Sequence, residues 1–543
     1  MSKEDYGRKG KEAFYWVVFA EAAEFFLRFG SSIILARILF PDDFGLMGLA
    51  SIAIQFSRRL TQFGLTSVLV QIKDIKDDHY HTVFWTNMLT MSFVSAVVFF
   101  GAPHYAEFFG KPVLIPILWV IAIDFVLQAF SAVPTAILRR NLRFKELAFS
   151  HTISKIATIV VAIGLAVMGY GVWALVWGEV AGSLASRSSA IRYALRFSDW
   201  KPKFRYKKWA LKDTFSFGLW MYVNAYVTYG INKVDYFFIG KFLGATALGF
   251  YERAFDLMSM PRKRLVRKMN TVAYSTYSRL QDDSDRLIRG LLQVTRHLSV
   301  VTYPLMIWLF FASPSLIVNL YGEKWMETII PLQIMCISGL IDSFTLIFQP
   351  LLKATGYIGN NTRRDILYLA ILTLGVLGGI FYFGTIAGVA IGIVFASIIR
   401  LLLTMTLTAK KLPLNVWHFF GAQRSAIVYG MIQIALLWTL KLFVDPLLGE
   451  TSLVMFALIS LLSIIALFGS HYVIRFQDID EIITDLTKDL RKTARKIPVI
   501  KNLPFVKNKS KKPVKPTPDI EAPAKTVEPP LSAESANLTD NRN

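Results

Sequence analysis

The sequence predicts an all-α polytopic membrane protein of about fourteen transmembrane helices, arranged as two six-helix bundles that are parallel repeats, plus two extra C-terminal spans. Three observations predict it. The 543-residue chain is 54% hydrophobic and only 18% charged, with a mean hydropathy of +0.45, far too apolar for an ordinary soluble domain. Apolar runs long enough to cross a bilayer recur along most of its length. Cations collect in alternate connections, as they do in short cytoplasmic loops.

The runs fall, in order, near 13–36, 44–70, 80–103, 113–138, 147–169, 171–195, 213–240, 245–270, 291–320, 328–352, 364–384, 386–409, 423–444 and 451–474. The connections that alternate with them carry Lys3, Arg8, Lys9 and Lys11; Lys73 and Lys76; Arg139, Arg140, Arg143 and Lys145; Arg196 to Lys208; Arg262, Lys263, Arg264, Arg267 and Lys268; Arg363 and Arg364; and Lys410, Lys411 and Arg424. The intervening connections hold little beyond Arg37, Lys111, Lys241 and Lys324. Both termini are therefore expected in the cytoplasm. The first run carries Glu21, Glu24 and Arg28, which a cleavable signal segment would not, so it reads as an uncleaved span.

This places an N-terminal bundle at 1–195, a connector at 196–212, a C-terminal bundle at 213–409 and two added spans at 410–475. The connector, "RFSDWKPKFRYKKWALKD" to Asp213, interleaves Trp200, Phe204 and Trp209 with cations and should lie along the anionic inner membrane surface. Pro202 prevents it from being one continuous helix. Residues 476–500 should hold an amphipathic helix, with Ile479, Ile482, Ile483, Leu486 and Leu490 at helical spacing. Residues 501–543, rich in Pro, Lys, Ala and Glu, should be a disordered cytoplasmic tail.

The net charge of +22 is spread between apolar runs rather than gathered on one face or motif, which argues for membrane orientation and against nucleic acid. Cys336, the only cysteine, can form no intramolecular disulfide. There is no Walker-type GxxxxGK[ST], so direct ATP drive is not expected, and no cofactor is called for. Asp77, Asp78, His79 and His81 include ligand-type residues, but they read as a solvated turn rather than a metal site. No external connection is long enough to be a catalytic domain.

An internal repeat supports the two-bundle reading. At an offset of 204, the segment from Ala36 to Ala50 meets the segment from Gly240 to Ala254, aligning Arg37 with Lys241, Leu39 with Leu243, Gly45 with Gly249 and Ala50 with Ala254. Both copies fall in the turn between the first and second spans of a six-span unit. Six is even, so the units enter the membrane from the same side and are related by an axis along its normal, with a cavity between them near the midplane.

The blocks "LARILFPDDFGLMGLASIAIQFSRRLTQFGLTSVLVQ" (35–71), "DYFFIGKFLGATALGFYERAFDLMSMP" (235–261), "VAYSTYSRLQDD" (272–283) and "NLYGEKWMETIIPLQIM" (319–335) resemble those of the bacterial polysaccharide transporters. These are Wzx-like flippases, of the WzxC type, in the multidrug/oligosaccharidyl-lipid/polysaccharide (MOP) exporter superfamily. Ser275 stands where relatives commonly place a proline. The resemblance implies a flippase, not an enzyme, in the bacterial cytoplasmic (inner) membrane. It would move undecaprenyl-pyrophosphate-linked oligosaccharide units by alternating access, for exopolysaccharide, capsule or O-antigen (lipopolysaccharide) synthesis. Its partners would be the lipid-linked oligosaccharide, the phospholipid membrane and, downstream, a polysaccharide polymerase and export machinery, with no nucleic acid.

Charges inside the spans locate candidate sites, because an ionised side chain at mid-bilayer costs roughly 2.5–3.5 kcal/mol unless protein or water surrounds it. Glu21, Glu24 and Arg28 share one face of the first span, and Arg28 lies roughly 22 Å along it, too deep to reach the inner surface. Arg58 and Arg59 sit midway along the second span. Lys233 and Asp235, with Glu252, Arg253 and Asp256, form a corresponding set in the second bundle. On the implied function, Arg28, Arg58, Arg59, Lys233 and Arg253 are candidates to hold pyrophosphate, for which arginine supplies matched donors. Glu21, Glu24, Asp124, Glu179 and Asp235 are candidate charge partners or ion-coupling groups, with proton and sodium coupling both open. Asp342 is a further buried ionisable, and Lys155 and Glu179 read as a helix-to-helix pair. Two alternatives stay open: an exporter of amphipathic cations in the same superfamily, which should have an acid-dominated cavity, and a membrane polysaccharide polymerase or ligase.

Overall fold

The computed structural model describes residues 27–473, apart from 62–68, 71–74, 199, 208, 210–218, 282, 357 and 411. Glu21, Glu24, the expected amphipathic helix and the C-terminal tail lie outside these residues.

The described chain is helical throughout. The elements are α1 (27–38), α2 (Pro41–Thr61), α3 (Asp77–Phe109), α4 (Leu114–Arg140), α5 (Phe144–Val167), α6 (Val172–Phe197), α7 (Leu219–Phe242), α8 (Gly244–Arg279), α9 (Ser284–Tyr321), α10 (Ile329–Ala354), α11 (Ile358–Phe383), α12 (Ile386–Ala409), the short α13 (Val416–Gly421), α14 (Arg424–Leu448) and α15 (Leu453–Val473). A 3₁₀ turn, Glu323–Thr328, joins α9 to α10. Among the described residues, eight helices are long and apolar enough to cross a membrane. The protein is a multi-pass membrane protein.

Local chemistry sets the helix ends. Pro41 occupies the first helical position of α2, where its missing N–H costs nothing, and Asp42 and Asp43 follow in the first turn beside the positive end of the helix dipole. Gly110 ends α3 in the left-handed conformation (φ 64°) and returns its N–H to the carbonyls of Ala106 and Glu107. Asp283 and Thr385 cap α9 and α12 by accepting backbone N–H bonds from Arg286 and Gly388.

Lipid supplies no hydrophobic drive between helices, so close packing has to. Each half of the chain ends in a helix pair built this way. In α6, Gly178 and Gly182 lie against Ala162 and Thr158 of α5, while in the second half Gly375 and Gly379 of α11 meet Gly392 and Gly388 of α12. At these crossings an added Cβ would fall 1.9 Å from Thr158 Oγ1 and 2.0 Å from the carbonyl oxygen of Gly375.

The segments aligned in the internal repeat touch where α2, in the first half of the helices (α1–α6), crosses α8, in the second (α7–α12). Gly45 rests on the backbone of Ala245, and Gly249 rests on the backbone of Pro41. Since 41 aligns with 245 and 45 with 249, the contact is reciprocal about a pseudo-twofold axis. Tyr229 of α7 adds a hydrogen bond to the Ile52 carbonyl of α2 (2.7 Å).

Three local expectations are corrected. The cations at 262–268 are not in a loop: α8 continues through them to Arg279, because Arg262 is buried against Asp342 of α10 (3.3 Å) and Val266 joins the core. Arg363 and Arg364 likewise lie within α11, where Arg364 contacts Asp365 and Thr404. Asp77 to His81 is not a solvated turn but the first turn of α3, with His79 and His81 each only 3% exposed. The cause is the connector, which folds over that turn: Trp200 stacks on His81, and the Lys203 N–H donates to His81 Nδ1.

Candidate functional site

A cavity of about 110 Å³ lies inside the first half. Its polar walls are Ser51, Gln55 and Arg58 of α2, Asp124 of α4 and Glu179 of α6. Helical spacing puts 51, 55 and 58 on one face of α2. The structure therefore brings together three residues that the sequence marks separately, Arg58, Asp124 and Glu179.

Asp124 is committed within this wall. Arg187 of α6 grips it through Nη1 to Oδ1 (2.6 Å) and Nη2 to Oδ2 (2.7 Å), and Ser183 Oγ donates to Oδ1 (2.8 Å). Two parallel charge-assisted bonds make this the strongest class of ion pair. The sequence reading missed Arg187, whose partner lies 63 residues away with no local period to reveal it. No ion pair joins Lys155 and Glu179 among the described residues, which corrects that reading: Glu179 turns to the cavity and Lys155 is exposed.

Lys233 of α7, from the second half, reaches Ser51 of the cavity wall. Its Nζ donates to Ser51 Oγ (3.3 Å) and lies 3.7 Å from the Tyr236 ring centroid. Glu252, Asp235 and Asp256 are within electrostatic range, but Lys233 makes no ion pair among the described residues. Asp235 is turned inward, accepting from Tyr251 Oη (2.5 Å) and the Tyr236 N–H (2.9 Å). Arg253 faces α1 and α2, donating to Ser32 Oγ (2.9 Å) and lying 4.2 Å from the Phe44 ring centroid. Arg28 is exposed, has no ion-pair partner among the described residues, and lies within electrostatic range of Lys263. Arg59, in the last described turn of α2, lies near Tyr226 and Tyr229 of α7.

Past this cluster, toward the Gly45 crossing, cations tie the halves together. Arg37, at the end of α1, donates through Nε to the Leu320 carbonyl (2.8 Å) and through Nη2 to that of Asn319, at the end of α9. Lys241, at the end of α7, donates to the Phe108 carbonyl at the end of α3 (2.5 Å). These two cations are the aligned pair of the repeat, and each caps the third helix of the opposite half. Lys324 and Trp325 return the arrangement by donating to the carbonyls of Arg37, Leu39 and Ala36. Helix C-termini favour cations by about 0.3–1 kcal/mol at exposed sites. Arg37→Gln and Lys241→Gln should each weaken closure of this end by about that amount, roughly additively, and less at high salt. Labelling of a thiol placed at Gln55 by a reagent supplied from this end would measure the loss; unchanged labelling in the double variant would deny the caps any role in closure.

The comparisons with known proteins agree with this architecture. Residues 34–330 match the family model described as polysaccharide biosynthesis protein. The chain is 28% identical over 346 residues to the succinoglycan biosynthesis transport protein ExoT of Rhizobium meliloti, covering 63% of this chain and 68% of that one. It is 22% identical over 381 residues to the lipopolysaccharide biosynthesis protein WzxC of Escherichia coli, covering 69% and 76%. Among solved structures it resembles the lipid II flippase MurJ in an inward closed conformation, with TM-score 0.65, 18% identity and coverage of 84% of this chain and 98% of that one. It also resembles an inward-facing multidrug resistance MATE transporter of the MOP superfamily, with TM-score 0.55, 13% identity and coverage of 77% and 96%. With more than half of its length matched by the family model, the chain belongs to the polysaccharide biosynthesis protein family.

Proposed function

We propose that the protein flips undecaprenyl-pyrophosphate-linked oligosaccharide from the cytoplasmic to the outer leaflet of the bacterial inner membrane by alternating access. On this reading fourteen spans form two six-helix lobes plus a C-terminal pair, both termini are cytoplasmic, and the Gly45 crossing closes the outer side. The observation that carries the reading is the pair of cations, Lys233 and Arg28, that lie where the halves face each other and enter no ion pair among the described residues. Such charges are costly in a membrane unless they have work to do. A diphosphate diester would give these cations an ion-pair partner, while its lipid tail stays in the bilayer. Arg58 and Arg59 extend the cationic path along α2, and Glu179 is the wall carboxylate available for proton or sodium coupling.

The test is translocation of a labelled undecaprenyl-pyrophosphate oligosaccharide in proteoliposomes at matched insertion. One lost charge-assisted contact costs about 1.5–3 kcal/mol, so Lys233→Ala and Arg28→Ala should each slow flipping roughly 10- to 150-fold. Flipping that survives both substitutions would remove the cationic site. Transport of amphipathic cations without any flipping, under an ion gradient, would replace the substrate assignment.

A further inference from the structure

A second cavity, which shares no lining residue with the first, lies at the connector. It is larger, about 340 Å³, within the roughly 300–1,000 Å³ range of small-ligand pockets. Its floor is apolar: Phe84 of α3, Phe130 and Ile137 of α4, and Ile191 and Leu195 of α6. Phe130 and Leu195 are also exposed, so the cavity opens beside them. Its rim is polar and comes from the connector, as Ser198, Trp200 and Lys201.

Two independent features of the rim point to an anion. From Trp200 to Trp209 the connector holds five cations and no acid, and Lys201, Lys203, Arg205 and Lys207 are all exposed and without an ion pair among the described residues. The nearby acids are Asp199, which stands between Ser198 and Trp200 in the sequence, and Asp77 and Asp78, at the start of α3. Trp200 also has its indole Nε1–H buried with no hydrogen-bond acceptor, a donor that normally finds a partner. Ser198 Oγ accepts the Trp200 backbone N–H (3.2 Å), which leaves its own hydroxyl hydrogen free to donate.

The connector is held firmly enough to form a site. Besides Trp200 on His81 and Lys203 N–H to Nδ1, the Trp85 indole donates to the Lys203 carbonyl (2.9 Å) and the Lys207 N–H donates to Thr82 Oγ1 (3.1 Å). Phe204, Tyr206 and Trp209 remain exposed beside the cations, the mixture found at the membrane–water boundary.

We propose that this cavity binds one anionic phospholipid, with an acyl chain between α4 and α6 and the phosphate at Lys201, the Trp200 indole turning outward to donate its Nε1–H. The apolar floor fits a chain, the lysine neutralises the phosphodiester, and the orphan N–H gains its acceptor. Phosphatidylcholine would fill the floor equally well and present the same phosphodiester, but its choline cation cancels that charge and would lie against the connector's lysines and arginine.

The experiment is native mass spectrometry of the full chain offered phosphatidylglycerol and phosphatidylcholine with identical acyl chains. Phosphatidylglycerol should be retained preferentially. Lys201→Gln should cut its retention about fivefold, the increment expected for one basic residue at an anionic surface. Ala194→Phe, which fills the cavity without touching charge, should abolish the preference, and Trp200→Phe should weaken it. Equal retention of the two lipids overturns the proposal. So does undiminished phosphatidylglycerol on Ala194→Phe, which would leave only a charged surface, or displacement by the glycerophosphoglycerol head group alone, which would show that no chain is held. None of these readouts depends on the transported substrate.

Discussion

Gly45→Ala is expected to pry open the end of the molecule at which the halves meet, and Gly249→Ala to do the same. A Cβ at residue 45 would lie 1.7 Å from the Ala245 carbonyl oxygen, and one at 249 would lie 1.9 Å from that of Pro41. Neither obstacle is a flexible side chain, so α2 and α8 must separate along their crossing. Overpacking of this kind costs typically about 1–3 kcal/mol, which shifts a two-state equilibrium roughly 5- to 150-fold. The native thiol, Cys336, is 3% exposed, so Gln55→Cys on the cavity wall provides a single reactive reporter. Its modification by an impermeant maleimide supplied from the Gly45 end should rise in Gly45→Ala. Gly378→Ala is the matched control, since nothing lies within 4 Å of its Cβ position. Equal labelling in Gly45→Ala and Gly378→Ala would mean that the glycine crossing does not govern closure.

Arg187→Leu is expected to have the largest effect on stability. It would strand Asp124, 7% exposed, with only Ser183 for a partner. Removing one member of a buried pair costs about 3–5 kcal/mol, whereas replacing both with apolar residues is often neutral. Thermal unfolding in detergent should therefore show a large loss for Arg187→Leu and recovery in the Asp124→Leu/Arg187→Leu double variant. The double variant also separates the two readings of Asp124. Retained ion-gradient-dependent flipping makes the pair a brace for the cavity wall, and stable protein that no longer responds to the gradient makes Asp124 part of coupling. A single variant as stable as the parent would contradict the geometry of the pair.

The helices are legible in the sequence because hydrocarbon imposes a length on each span. The apolar runs give the helices, and the match of Gly45 with Gly249 picks out two glycines that meet at one crossing. Charge misleads where it is used up inside the protein. Arg262 and Val266 lower and raise local hydropathy within two turns, so the stretch looks like a loop, yet both are buried on one face of α8. Of the candidate site, the intramembrane cations were visible because their placement is expensive. Arg187, His81 and the orphan Trp200 N–H were not, because each acquires its meaning from a residue distant in sequence and close only after folding.

The reciprocal crossing of α2 and α8 also bears on how such a chain changes over generations. Contacts in which one position meets a second, and the equivalent of the second meets the equivalent of the first, are those that identical chains make about a twofold axis. Here that geometry is contained in one polypeptide: glycine at 45 answers to the backbone at 245, and glycine at 249 to the backbone at 41. At this crossing neither glycine can enlarge without displacing the opposite helix, so the two positions are constrained together.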